Sequence, residues 1–342
     1  MDLQNTWFFL WGLLWAVFFM TDGFDFGIGT LLPFLGRKDE ERRMMLNAMG
    51  PFWDGNEVWM IAAGGVTFAA FPKVYAVMFS SLYSALMLIL FALILRGVAI
   101  EFRSKIDSKN WKQVWDTCIF LGSAAPAILF GVAFANIFKG IPIDEAGLYH
   151  GTLFTLLNGY GVLGGLLFLS LFLVHGALWL GIRTEGELHE RSVKFANAMW
   201  FVLLFVAVLF LYATYKETKL YDNYFKTPIL FLVVILDVAA LVGIKYFLVK
   251  KECVFCAWAS SALTIVLCTF FGVIGIFPNL FPSSINAESS LSAYNASSSP
   301  LTLKIMLIVA LIFVPIVIAY QTWAYKLFSD KVNKEEFGEE AY

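Results

Sequence analysis

Four carboxylic acids recur at one spacing near the start of the chain. Asp22 and Asp25 lie three residues apart in TDGFDFGIG (Thr21 to Gly29), and Asp54 and Glu57 repeat the interval in GPFWDGNEVW (Gly50 to Trp59). On a helix this interval sets both members of a pair on neighbouring positions of one face. Acids held out of water have few chemical uses: binding a cation, holding protons on carboxyls that crowd one another, or pairing with arginine. Arg96 and Arg103, at the end of a later apolar stretch, are available for pairing. Asp22 and Glu57 could be hydrated helix ends. Asp25 and Asp54 are flanked by Phe24, Phe26, Phe52 and Trp53, which argues against simple solvation.

The elements that must position these acids are membrane-spanning helices. Of 342 residues, 60% are hydrophobic and 15% charged, whereas a water-soluble domain carries about 25% charged residues. A span needs about 20 apolar residues at about 1.5 Å of rise each. Nine stretches qualify: Trp7 to Phe26, Glu57 to Tyr75, Met78 to Ile100, Val114 to Phe138, Leu153 to Gly181, Phe195 to Tyr215, Pro228 to Val249, Cys256 to Phe277 and Leu303 to Leu327. The second is the weakest, because Glu57 falls in its first turn. The first lacks the basic lead-in and small-residue cleavage site of a signal peptide, so it is expected to be retained. The expected class is an all-α polytopic membrane protein.

Short loops rich in Lys and Arg stay in the cytoplasm. With the amino terminus outside, eighteen of the 24 basic residues fall inside, from Arg37 and Lys38 to Lys331 and Lys334; Lys73, Lys139, Lys216, Lys219, Lys226 and Lys304 fall outside. This asymmetry supports nine spans and a cytoplasmic carboxyl terminus. The first helix then runs inward and the second outward, so the two acid pairs are expected at one depth, as a four-acid cluster near the cytoplasmic face. A net charge of −2 removes nucleic acid as a partner. Beyond a Ser-rich external stretch from Pro278 to Pro300 and a charged tail, the connections leave no room for a soluble domain. Asn295-Ala296-Ser297 meets a glycosylation pattern that a Ser-rich loop meets by chance.

Other candidates are weaker. Asp237, mid-span in FLVVILDVAALVG, is expected to make a structural hydrogen bond to another helix. His175 reads as a packing histidine, since a haem iron would need a second histidine or a methionine placed with it. Cys253 and Cys256 form a single CxxC without further ligands nearby and are expected as free thiols on the cytoplasmic side. No phosphate loop, nucleophile elbow or zinc motif is present, so neither a self-contained catalytic site nor a metal site is expected.

TDGFDFGIG, followed by LGRKDEERR (Leu35 to Arg43), GPFWDGNEVW and the RSK run at Arg103 to Lys105, resembles subunit II of the cytochrome bd quinol oxidases. The likeness extends over the whole chain in length, span count and orientation, and its specific part is the first third. It implies a single integral membrane domain of two four-helix bundles (about 1–140 and 150–278), a peripheral last helix (about 301–327) and a cytoplasmic tail (328–342). It implies a bacterial cell-membrane complex with a subunit I that holds haems b and d, and it allows a small accessory subunit and a structural quinone. Quinol would be oxidised near the outer face and dioxygen reduced with cytoplasmic protons, without a pump. Asp25 and Asp54 match the family's intramembrane acids on the proton route. Trp53 adjoins them, and Arg96 is placed to anchor a buried carboxylate.

Two rival readings differ in class. A proton- or cation-coupled transporter would use the acids as its coupling site, but it should show interrupted helices near the midplane in both halves; the second half offers only Asp237. A passive scaffold would use the acids to bind arginines of a partner. A haem-rich partner with a red-shifted chlorin band on co-purification supports the oxidase, and a colourless homo-oligomer with solute uptake supports the transporter.

Overall fold

The computed structural model describes residues 2–332, so the end of the tail, with Lys334, lies outside the described residues. The chain is helical almost throughout. Its helices are α1 (Leu3–Leu35), α2 (Asp39–Met49), α3 (Trp53–Ala70), α4 (Pro72–Ser81), α5 (Tyr83–Phe102), α6 (Lys109–Lys139), α7 (Gly159–Arg183), α8 (Gly186–Glu217), α9 (Tyr221–Lys226), α10 (Phe231–Val249), α11 (Val254–Ile276) and α12 (Pro300–Leu327). Among the described residues, eight helices are long and apolar enough to cross a membrane: α1, α5, α6, α7, α8, α10 with the turn before it, α11 and α12. The second of the nine expected spans is α3, an 18-residue helix that is not among the eight. Asp54, Asn56 and Glu57 in its opening turns dilute its apolar character.

Helix α1 is the axis of the molecule and packs on α3, α6, α7 and α11. Its burial follows from TDGFDFGIG, every residue of which after Thr21 is buried. Gly27 is the crossing point with α7: a Cβ there would stand 2.0 Å from the carbonyl oxygen of Phe172, and one at Gly176 would stand 2.8 Å from Gly27 Cα. Backbone thus lies on backbone. Above the crossing, Trp15, Phe19, Phe134 and Phe168 interlock edge to face at 4.9–5.2 Å between ring centroids, a geometry favoured by the ring quadrupole. Gly27→Ala is therefore expected to force α1 and α7 apart, since neither backbone can yield locally. Thermal unfolding of the purified complex should show a loss of about 2–3 kcal/mol, at the upper end for overpacking.

Helix α12 stands apart, with Leu303 as its one buried residue. Polar clips hold it. Trp7 Nε1 donates to Leu303 O (2.9 Å), Trp59 Nε1 to Gln321 Oε1 (2.9 Å), and Gln321 Nε2 to Gly55 O (3.0 Å). The Ser-rich stretch between α11 and α12 folds into a short antiparallel pair, β1 (Asn279–Phe281) and β2 (Leu291–Ser292). There the Asn295 amide closes a turn with Ser290 O and Ser292 N.

Candidate functional site

Three of the four acids meet where α1, α3 and α5 face one another. Asp22, Asp25 and Arg96 are fully buried. Arg96 Nη2 donates to Asp22 Oδ1 at 2.9 Å and Oδ2 at 3.1 Å, and also to Glu57 Oε1. The guanidinium lies 4.3 Å from the Phe26 ring centroid, so it is held by an aromatic face as well as by charge. Asp25 is gripped differently. Its Oδ2 accepts from Asn56 Nδ2 at 2.7 Å, and Tyr325 of α12 donates to Asn56 Oδ1 at 2.8 Å, which fixes the amide with its nitrogen toward Asp25. Asp25 Oδ1 is buried without a hydrogen-bond partner among the described residues.

Asp54 is not in this cluster. It is exposed, and its Oδ1 accepts from the adjacent Gly55 N at 2.7 Å. The expectation of four acids in one cluster is corrected here for a helical reason. At about 100° per residue, Asn56 lies about 200° around from Asp54, so burying Asn56 turns Asp54 outward, while Glu57 is left at the flank. The aromatic neighbours Phe52 and Trp53 gave no direction because they occupy other faces. Trp53 is half-buried and packs against Gly97 of α5.

Arg103 is also elsewhere. With Asp116 of α6 and Asp39 of α2 it forms a second ionic network, in which Arg42 bonds Asp116 at 2.7 Å and Lys112 bonds Asp39 at 2.9 Å. On the other side of α2, Arg191 of α8 bonds Glu41 at 2.6 Å. Burial alone would raise the Asp39 and Glu41 carboxyls, but hydrogen bonds from Lys112 and Arg103, and from Arg191 and the Lys38 and Arg37 amides, outweigh it and hold both below their ordinary values of 3.8 and 4.5. Carboxyls lowered in the fold stabilise it fully above those values and lose that effect as pH falls through the lowered ones. Stability of the purified complex is thus expected to be flat from neutral pH to about 5 and to decline below about 4, read by thermal unfolding.

Attention to charged residues passes over Asn56, Tyr325 and Gln321, and attention to the two acid motifs passes over Asp116, which lies outside both. Asn56 could have been found, because it stands inside GPFWDGNEVW; Tyr325 lies in a helix with no polar signal linking it to α1. Four further residues were expected to have structural roles or none. Both ring nitrogens of His175 are engaged, Nδ1 with Ser261 Oγ at 2.6 Å and Nε2 with Met20 O at 3.0 Å, and the ring stacks on Trp258. The residue therefore does not fit a haem iron ligand. Asp237 departs from expectation: it makes no hydrogen bond to another helix among the described residues. Its surroundings are Leu167, Leu203 and Phe271, and the nearby Thr264 hydroxyl is committed to Ser260 O. Cys253 and Cys256, expected as free thiols, are joined in a disulfide. The first turn of α11 brings their Cα atoms to 5.3 Å, within bonding range.

Fold and site define a polytopic helical membrane protein with a largely buried charge cluster between its central helix and two neighbours. The chain belongs to the cytochrome bd terminal oxidase subunit II family, whose sequence profile matches residues 3–328. It is 39% identical to "Probable cytochrome oxidase subunit 2" of Haemophilus influenzae over 94% of each chain. It is 37% identical to "Cytochrome bd-I ubiquinol oxidase subunit 2" of Escherichia coli (98% of this chain, 96% of the relative) and to "Cytochrome bd ubiquinol oxidase subunit 2" of Bacillus subtilis (98% of each). Its fold is similar to a chain in the structure of bd oxidase from Geobacillus thermodenitrificans, with a TM-score of 0.79, 14% identity, and coverage of 96% and 99% of the two chains.

Proposed function

We propose that this chain is the second subunit of a membrane quinol oxidase, paired with a subunit I that holds the haems, and that its enclosed carboxyls take up protons from the cytoplasm. The haems of that partner would supply the reduction of dioxygen. What this chain supplies is a proton-holding cluster. The observation that carries the reading is that Asp22 and Glu57 share one guanidinium while a third carboxyl, Asp25, is held beside them by Asn56 with its Oδ1 left open. One cation balances one carboxylate, and the two further carboxyls are the capacity for protons that the reading needs.

Each residue then has a task. Arg96 holds Asp22 and Glu57, Asn56 aims Asp25, and Tyr325 fixes Asn56. Asp54, on the outer side of α3, is the group that meets protons before they enter. Trp53 seals the α3–α5 contact beside Arg96. Arg103 belongs to the ionic network at the membrane edge and acts by fixing α2 against α5 and α6. The proposal includes nine spans, with α3 crossing in company with the other helices of a first bundle, a second bundle of α7, α8, α10 and α11, α12 on the periphery, and the amino terminus outside.

The structural quinone that the family resemblance allows would lie among α1, α3, α5 and α6. A cavity of about 340 Å³ between α1, α3, α5 and α6 is lined by Trp11, Trp15, Met60, Leu86 and Phe130. Trp15 Nε1 there is buried without a partner, a donor for a carbonyl oxygen. The transporter reading is not favoured, because Asp237 stands alone in the second half. Affinity purification of the tagged chain from its native membrane is expected to bring down a haem-containing partner with quinol-driven oxygen consumption. A colourless preparation that moves a solute would overturn the proposal.

A further inference from the structure

A cleft of about 670 Å³ opens where α1 leaves the membrane and α6 enters it. Three carboxylates line it, and each already has a cation: Asp116 pairs with Arg42 and Arg103, Asp39 with Arg103 and Lys112, and Asp107 with Lys112. Two cations in the lining, Arg37 and Lys109, are exposed and make no ion pair among the described residues. The cleft is thus anion-seeking at its mouth.

Below the mouth the lining changes in order. Along α6 one face presents Lys109, Gln113, Thr117 and Phe120, which is cation, amide, hydroxyl and aromatic ring over eleven residues, or about 16 Å of depth. On the α1 side the lining runs from Arg37 at the mouth to Pro33, and Phe34, 64% exposed, packs edge-on to Phe120 with ring centroids 6.0 Å apart. A free anion would use only the top of this gradient. A phospholipid with an anionic headgroup matches all of it: phosphate at Arg37 and Lys109, glycerol ester oxygens at the Gln113 amide, acyl chain along Phe120 and Phe34. Basic pockets between helices on the cytoplasmic side hold anionic headgroups in this way.

We propose that this cleft is a specific site for one anionic phospholipid of the inner leaflet. The choice of leaflet rests on the orientation proposed above; the choice of ligand rests on the cleft alone. The test uses the whole purified complex, washed extensively in detergent, with retained lipids quantified by mass spectrometry. Phosphatidylglycerol is expected to survive washing at about one per complex, and the Arg37→Gln/Lys109→Gln double variant to retain roughly ten- to thirty-fold less, with phosphatidylethanolamine unchanged. Inorganic phosphate should not compete, whereas competition by phosphate would assign the site to a free anion. Equal retention of phosphatidylglycerol by wild type and variant would overturn the proposal, as would a cleft that crosslinks to a protein partner. Should the double variant fail to assemble, competitive displacement of phosphatidylglycerol from the wild type by phosphatidylcholine at equal concentration would also overturn it. Labelling of Lys109→Cys by an impermeant maleimide in intact cells separates an error in orientation from an error in ligand.

Discussion

Asp25→Asn is expected to leave the complex assembled and to slow quinol-driven oxygen consumption by at least ten-fold. The substituted side chain keeps an oxygen that can accept the N–H of Asn56, now 2.7 Å from Asp25 Oδ2, so the packing of α1 against α3 survives. What is lost is a group that can hold and release a proton. Positioned proton-transfer groups typically contribute about 10²–10⁴ in rate, and parallel routes through Asp22 and Glu57 reduce that loss. The pH profile separates this role from a structural one: residual turnover should fall more steeply as pH rises, because proton supply has become limiting. Asp54→Asn should have the smaller effect, because an exposed acid can be bypassed by water. Normal turnover in both variants would leave a scaffold as the better account of the acids.

Arg96→Ala is expected to prevent accumulation of the complex. Its guanidinium is the shared partner of Asp22 and Glu57 and is itself fully buried. Removing one member of a buried ionic set leaves charge uncompensated, at a cost of about 3–5 kcal/mol, which is a large part of the stability of a typical domain. The measurement is the yield of haem-loaded complex from solubilised membranes. Neutralising the whole set, as Arg96→Met with Asp22→Asn and Glu57→Gln, should restore yield while activity stays low. A stable complex carrying Arg96→Ala alone would mean that the carboxyls are neutral without their cation. The two predictions are complementary: Asp25 can be altered with the fold intact, whereas Arg96 cannot.

Asp25 was legible as a buried acid because Gly23, Phe24, Phe26 and Gly27 surround it, whereas Asp22, beside Thr21, could equally have been a hydrated helix end and is enclosed only by the packing of α1. Arg96 was legible as their partner by its level in the membrane. Arg103 was not separable from it by level alone. Asp116, on a helix more than ten residues further on, takes Arg103 away, and no local pattern announces that pairing. Asp54 and Glu57 share a spacing with the first pair but not its surroundings. The interval of three says that two residues are neighbours on a helix; it does not say which side of that helix the protein covers.

Composition, hydropathy and the two acid motifs by themselves determined the membrane environment, the helical class and the family. These depend on segment-scale sums of transfer free energy and on residue types fixed along the chain. Tertiary structure alone decided which acids share a cation, that Asn56 and Tyr325 hold Asp25, and that Asp54 faces outward. Those outcomes depend on the rotation of each helix about its own axis. That rotation is set by close contacts such as Gly27 on Gly176, which join residues far apart in the chain.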